Sequence, residues 1–215
     1  MLLKIPRNPK KEQKKTPPGV RWPRQVARKA ETSTMMRHLS TVVDTYNMAN
    51  SSLATDRTAL LDHFRQIAAS VPALKDLQQG IVEAIPQHLA HYNWTGFYML
   101  DPDDSETLVL GPFVGAPTDH VRIPVSQGIC GAAVASGETV IVDDVNVDPR
   151  YLSCSIETKS EIVVPIYVHG KVIGEIDIDS HDPAAFTEDD RLFLEEATRI
   201  VGTYIEQHPD ETAAH

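Results

Sequence analysis

The chain has 215 residues, 41% hydrophobic and 23% charged, with a formal net charge of −10, the balance of one substantial soluble domain with extensions. No apolar run reaches the roughly 18 residues of a membrane span, and the basic N-terminus lacks the apolar stretch of a secretory signal. Two cysteines in this length exclude a disulfide scaffold and point to a reducing, cytoplasmic setting.

Charge is unevenly divided. Residues 1–37 hold eleven Lys/Arg against Glu12 and Glu31, whereas the remainder holds nine Lys/Arg against 28 Asp/Glu. So acidic a body disfavours nucleic acid as a partner. Residues 1–50, with "KIPRNPKKEQKKTPPGVRWPR", read as a basic, disordered extension. Met35 and Met36 stand where the composition changes and offer an alternative start. The domain proper is expected over 51–207, with a short tail at 208–215.

From about Asp56 the spacing of Leu60, Leu61, Phe64, Ile67, Ala68 and Val71 predicts a helix closed by Pro72. A second helix, over roughly 73–91, carries Leu74, Leu77, Ile81, Ile85 and Leu89 on one face, with Pro86 as a kink. The period then changes. "NWTGFYMLD" and "TLVLGPFVG" predict a hairpin across "PDDSE", and "HVRIPV" adds an extended piece. "GICGAAVASG" is a short helix of small residues between Gly128 and Gly137, and "TVIVDDV" is a strand leading into a polar loop. "EIVVPIYV" and "KVIGEIDIDS" flank His169–Gly170, a two-residue hairpin signal. Thr187 and Asp190 form a capping box for a last helix, striped by Phe193, Ala197, Ile200, Val201 and Tyr204. The fold class is α+β: a central antiparallel sheet flanked by N- and C-terminal helices.

Both cysteines, Cys130 and Cys154, lie in polar, turn-like surroundings. The plain reading of a lone cysteine is a small buried hydrophobe, and this fits Cys130, beside alanines, better than Cys154, between two serines. A helix start at Gly128 would lower the pKa of Cys130. Asp177 and Asp179 alternate onto one face of their strand with Glu175 in line. Such repetition ordinarily marks a solvated face, but pairing through the His169–Gly170 turn brings Glu161 near Asp179. Three carboxylates there would suit an ammonium group, and crowding would keep one protonated. Trp94 and Tyr98 share a strand face. No His/Cys spacing resembles a zinc site, and "GAAVASG" lacks the lysine of a phosphate loop.

The ordered series "NWTGFY", "LVLGPF", "RIPVSQGICGAA", "DV" before a polar loop, "SEIVVPI" and "IGEIDIDS" resembles the GAF domain and, within it, the free methionine-R-sulfoxide reductases, over about residues 55–206. A third family cysteine is replaced by His120. The resemblance implies a GAF-type sandwich that reduces free L-methionine-(R)-S-oxide through a sulfenic acid and a Cys130–Cys154 disulfide, recycled by thioredoxin, with no metal or organic cofactor. It also implies that Glu161, Asp177 and Asp179 share substrate binding and acid catalysis, and that Trp94 and Tyr98 line the pocket. The helix start favours Cys130 as the attacking thiolate; the resemblance favours Cys154, with Cys130 as resolver, and the latter is preferred. No membrane contact is expected, and a homodimer is left open. The competing function is a non-catalytic small-ligand sensor, against which stands the lack of an attached output segment.

Overall fold

The computed structural model describes residues 56–152 and 155–209. Expectations for residues 1–50, for Cys154 and for the end of the tail lie outside the described residues. Helix α1 spans 56–68 and α2 Leu74–His88, continuing through Pro86 into its last turn. Strands β1 (Trp94–Asp101), β2 (Asp104–Val114) and β3 (Arg122–Pro124) follow, then α3 (Gly128–Ser136), β4 (Val140–Val142), β5 (Ser160–Val168), β6 (Lys171–Ser180) and α4 (Glu188–Gln207). The six strands form one antiparallel sheet in the order β3-β2-β1-β6-β5-β4. The predicted α+β class and its antiparallel sheet are borne out.

Alternation along the central strands divides the sheet into two chemically different faces. Phe97, Ile162, Val164, Ile166, Ile176 and Ile178 point to the face covered by helices, where they pack with Leu60, Phe64, Leu77, Ile81, Ile85, Leu194 and Val201 in one buried cluster. The α1, α2 and α4 stripes predicted from the sequence meet here, with the rings of Phe64 and Phe193 6.2 Å apart. The opposite face carries Trp94, Tyr98 and Val163, covered by Ile129, Cys130 and Ala133 of α3. At the hairpin between β5 and β6, His169 and Gly170 both adopt positive φ, 50° and 75°, as a type I′ turn requires. That turn sets the register from which the site follows.

The α4 cap forms as predicted. Asp190 accepts from the Thr187 backbone N–H at 2.8 Å and from its hydroxyl at 2.6 Å. Its other carboxylate oxygen takes the Tyr92 hydroxyl at 2.7 Å and an ion pair with Arg57. Asp190 is 1% exposed, so a single buried carboxylate ties α1, the β1 approach and α4 together. Replacing Asp190 by Ala strands the Arg57 charge and removes the cap. A loss of about 3 kcal/mol of stability is expected, read as an earlier urea-unfolding midpoint. No helix among the described residues is long and apolar enough to cross a membrane.

Candidate functional site

The register stacks four carboxyl-bearing positions on the α3-covered face. On β6, Glu175, Asp177 and Asp179 occupy alternate positions; their β1 partners are Tyr98, Gly96 and Trp94. Across the other edge, Glu161 of β5 sits directly opposite Asp179, and Val163 opposite Asp177. The rows thus bring Glu161, Asp177, Asp179, Trp94 and Tyr98 to one face. They are not solvated. Glu161 is 5% exposed, Asp177 3%, Asp179 4% and Glu175 0%.

Cys130, at the third position of α3, points its thiol into this acidic row and donates to Asp177 Oδ2 at 3.6 Å. One donor atom each from Cys130, Glu161 and Asp177 lies within 4.8 Å of the other two. Both Glu175 oxygens and Asp177 Oδ1 are buried without a hydrogen-bond partner. Among the described residues, no Lys, Arg or His forms an ion pair with any of the four acids. Buried acids lacking a cation hold their protons. Burial raises Glu175 to about 8 and Asp179 to about 7. Glu161 and Asp177 are driven well above the carboxylate range by burial and then by their acidic neighbours.

The helix start at Gly128 is present, but its expected effect on Cys130 is not. Burial first, then the charges of Asp177, Glu175 and Glu161, push this thiol well above its ordinary value. Desolvation and like charge outweigh the α3 terminus, and Cys130 is a poor thiolate. The electrostatic half of that expectation is corrected.

Trp94 forms one wall. Its indole lies over Gly96 and against Gly115, where an added Cβ would come within 2.3 Å and 2.4 Å of ring atoms respectively. The Trp94 N–H donates to the Ala116 carbonyl at 3.0 Å, and the ring stacks on Phe113 and Tyr98 with centroids 5.6 and 6.3 Å apart. Tyr98 donates its hydroxyl to the His120 carbonyl at 2.8 Å, which anchors the His120 backbone beside the wall. Gly96→Ala should force the indole out of this position. The expected cost is about 1–3 kcal/mol, together with a changed tryptophan emission maximum on unchanged far-ultraviolet dichroism.

Three positions in the site are not assigned from the sequence. Glu175 aligns with the pair of aspartates, but nothing in the alternation distinguishes a buried from a wetted acid. Gly96 and Gly115 cradle the indole, a relation visible only once the strands are paired. The loop after β4 closes the remaining side. Tyr151 and Leu152 pack against the cluster containing Cys130, and the Tyr151 hydroxyl donates to the Ser155 carbonyl at 3.3 Å. The Asp148–Arg150 ion pair lies close enough for both charges to interact with Glu161. A surface groove of about 560 Å³ lies between this loop and the first turns of α3, lined by Gln127, Gly128, Arg150 and Leu152.

Residues 44–205, which include this two-faced antiparallel sheet and the α3 helix over it, are matched by the family model of the GAF domain. The chain belongs to the GAF domain family. Its GAF domain is 44% identical over 110 residues to the free methionine-R-sulfoxide reductase of Saccharomyces cerevisiae, covering 51% of this chain and 61% of that one. It is 44% identical over 108 residues to the free methionine-R-sulfoxide reductase of Escherichia coli, covering 50% and 63%. The matches thus span about three-fifths of these curated relatives. The structure of the free methionine-R-sulfoxide reductase from Neisseria meningitidis in complex with its substrate matches with a TM-score of 0.69 at 34% identity, covering 73% of this chain and 92% of that one. The resemblance to this group expected from the sequence is borne out.

Proposed function

We propose that this GAF protein reduces free L-methionine-(R)-S-oxide to methionine in a two-cysteine cycle recycled by thioredoxin, using no metal or organic cofactor. The observation that carries the reading is the buried row of Glu161, Glu175, Asp177 and Asp179, with no ion-paired cation among the described residues, facing a thiol beside an indole. A free amino acid supplies the missing charge through its ammonium group, whereas a methionine within a polypeptide has none. Trp94 and Tyr98 enclose the methyl sulfoxide end. Asp179 is assigned the acid, because burial keeps a proton on it to about pH 7.

In the reaction, the Cys154 thiolate attacks the sulfoxide sulfur while Asp179 protonates the oxygen. Methionine leaves and Cys154 is oxidised to the sulfenic acid. The Cys130 thiol then attacks that sulfur, a disulfide forms and water departs. Two electrons from the thioredoxin dithiol restore both thiols. The raised pKa of Cys130 supports this division of labour: a protonated thiol survives substrate binding and reacts once the sulfenic acid is presented. Cys154 stands two residues beyond Leu152 in the sequence, and the reading requires that its sulfur reach the bound sulfoxide. A reducing compartment, the cytoplasm, suits such a cycle.

The assay follows NADPH with thioredoxin, thioredoxin reductase and each diastereomer of free methionine sulfoxide. Consumption with the R form alone is expected. A thermal shift on adding either form, without turnover, would instead identify a ligand-binding sensor.

A further inference from the structure

We propose that the buried side-chain cluster between α3 and the sheet is also a site for one thiophilic divalent cation of the zinc class, held by Cys130, Glu161 and Asp177 in competition with the amino-acid substrate. The inference shares its site with the reductase reading but does not depend on turnover. Its basis is the donor set itself, one thiol and two carboxyl groups converging under α3, with a sulfur that serves the reductase cycle and is also a metal donor. Ammonium is satisfied by oxygen acceptors, yet the third group converging here is a sulfur, which selects soft or borderline metal ions.

The spacing fits. Zinc bonds of about 2.3 Å to sulfur and about 2.0–2.2 Å to carboxylate oxygen, at tetrahedral angles, put sulfur and oxygen about 3.5 Å apart. The Cys130 Sγ to Asp177 Oδ2 separation is 3.6 Å. The Glu161 oxygen completes a set whose members all lie within 4.8 Å of one another, so a small side-chain adjustment closes the triangle. Three protein ligands leave a fourth position for water.

A second, independent observation points the same way. Asp177 Oδ1 and both oxygens of Glu175 are buried and have no hydrogen-bond partner, an arrangement that is costly unless a cation or donor fills it. With Asp177 binding through one oxygen, Glu175 becomes the outer carboxylate for the metal-bound water. Coordination releases the Cys130 thiol proton and the Glu161 and Asp177 carboxyl protons to solvent and leaves Cys130 as a metal-bound thiolate, unable to resolve a sulfenic acid. Metal and substrate would therefore exclude each other, and a rise in free zinc would switch the site off without touching the fold.

The test is titration of the reduced full-length chain with Co²⁺ under anaerobic conditions, read by absorption. One equivalent should produce a sulfur-to-cobalt charge-transfer band with tetrahedral visible bands, and Zn²⁺ should erase both. Cys130→Ser should abolish the charge-transfer band, Cys154→Ser should retain it, and Glu175→Gln should weaken binding by about 10- to 100-fold. Free methionine in excess should displace the cobalt. Absence of the band, or its dependence on Cys154 rather than Cys130, overturns the inference, and failure of methionine to compete overturns the shared site. Far-ultraviolet dichroism of each variant separates lost ligation from lost folding. Absence of turnover in the chelator-treated NADPH assay, with the Cys130-dependent band intact, would reject the reductase reading and leave this one standing.

Discussion

Replacing Cys154 by serine is expected to reduce turnover by about 10⁴-fold or more, whereas Cys130→Ser should still release one equivalent of methionine per chain before stalling. The difference follows from the environment of Cys130. Its thiol is packed under α3 among Asp177, Glu175 and Glu161, and burial with like charge opposes the thiolate. Attack on the sulfoxide sulfur needs a standing population of thiolate, whereas in the resolving step the Cys130 thiol gives up its proton to the departing water as it attacks. Quenched-flow measurement of methionine released by each reduced variant checks the assignment. A full first turnover by Cys154→Ser, with none by Cys130→Ser, would reverse the roles.

The carboxylate row gives the second large effect. Asp179→Asn is expected to lower kcat by about 10²- to 10⁴-fold, the usual worth of a positioned acid, and to remove the alkaline limb of the pH–rate profile. In the wild type that limb should begin near pH 7, where Asp179 loses its proton, so activity falls as pH rises. Stability shifts in the same direction for a related reason. Glu175 titrates at about 8 when folded and at about 4.3 when unfolded. Through that interval the folded state holds the proton that the unfolded state has lost. Stability therefore declines as pH rises across the window and is regained in full toward its lower end. Glu175→Gln should flatten the dependence and raise the Tm of the ligand-free protein at pH 9. Equal pH slopes for variant and wild type would place the effect elsewhere.

Much of this arrangement was legible before any coordinates, for identifiable reasons. His169–Gly170 admits essentially one tight turn, and a tight turn dictates register, so Glu161 facing Asp179 could be read from the string itself. Trp94 and Tyr98 share a face because strands alternate. The covering of that face could not be read. "EIDIDS" has the same pattern whether its acids meet water or a lid, and the lid, α3, is built of residues too small to announce a buried side. Gly131 shows why they are small: an added Cβ would come 2.7 Å from the Val125 carbonyl oxygen, so α3 can lie close to the end of β3 only without a side chain there. The pairing of β1 with β6 is equally silent in the sequence, since 70 or more residues separate the strands. It is this pairing that places Glu175 beside Tyr98 and seals it from solvent. The Cys130 electrostatics followed from the same unseen covering, which turned an expected activation into its opposite.

The reductase reading depends on the Cys130 sulfur and the carboxylates acting on one bound molecule, and on the Cys154 sulfur reaching it. Peptide mapping by mass spectrometry after one equivalent of free L-methionine-(R)-S-oxide is added to the reduced chain tests this most directly. The expected product is a single intrachain Cys130–Cys154 disulfide, formed in proportion to the methionine released. Methionine formed while both sulfurs stay unlinked, or no oxidation of either, would contradict it.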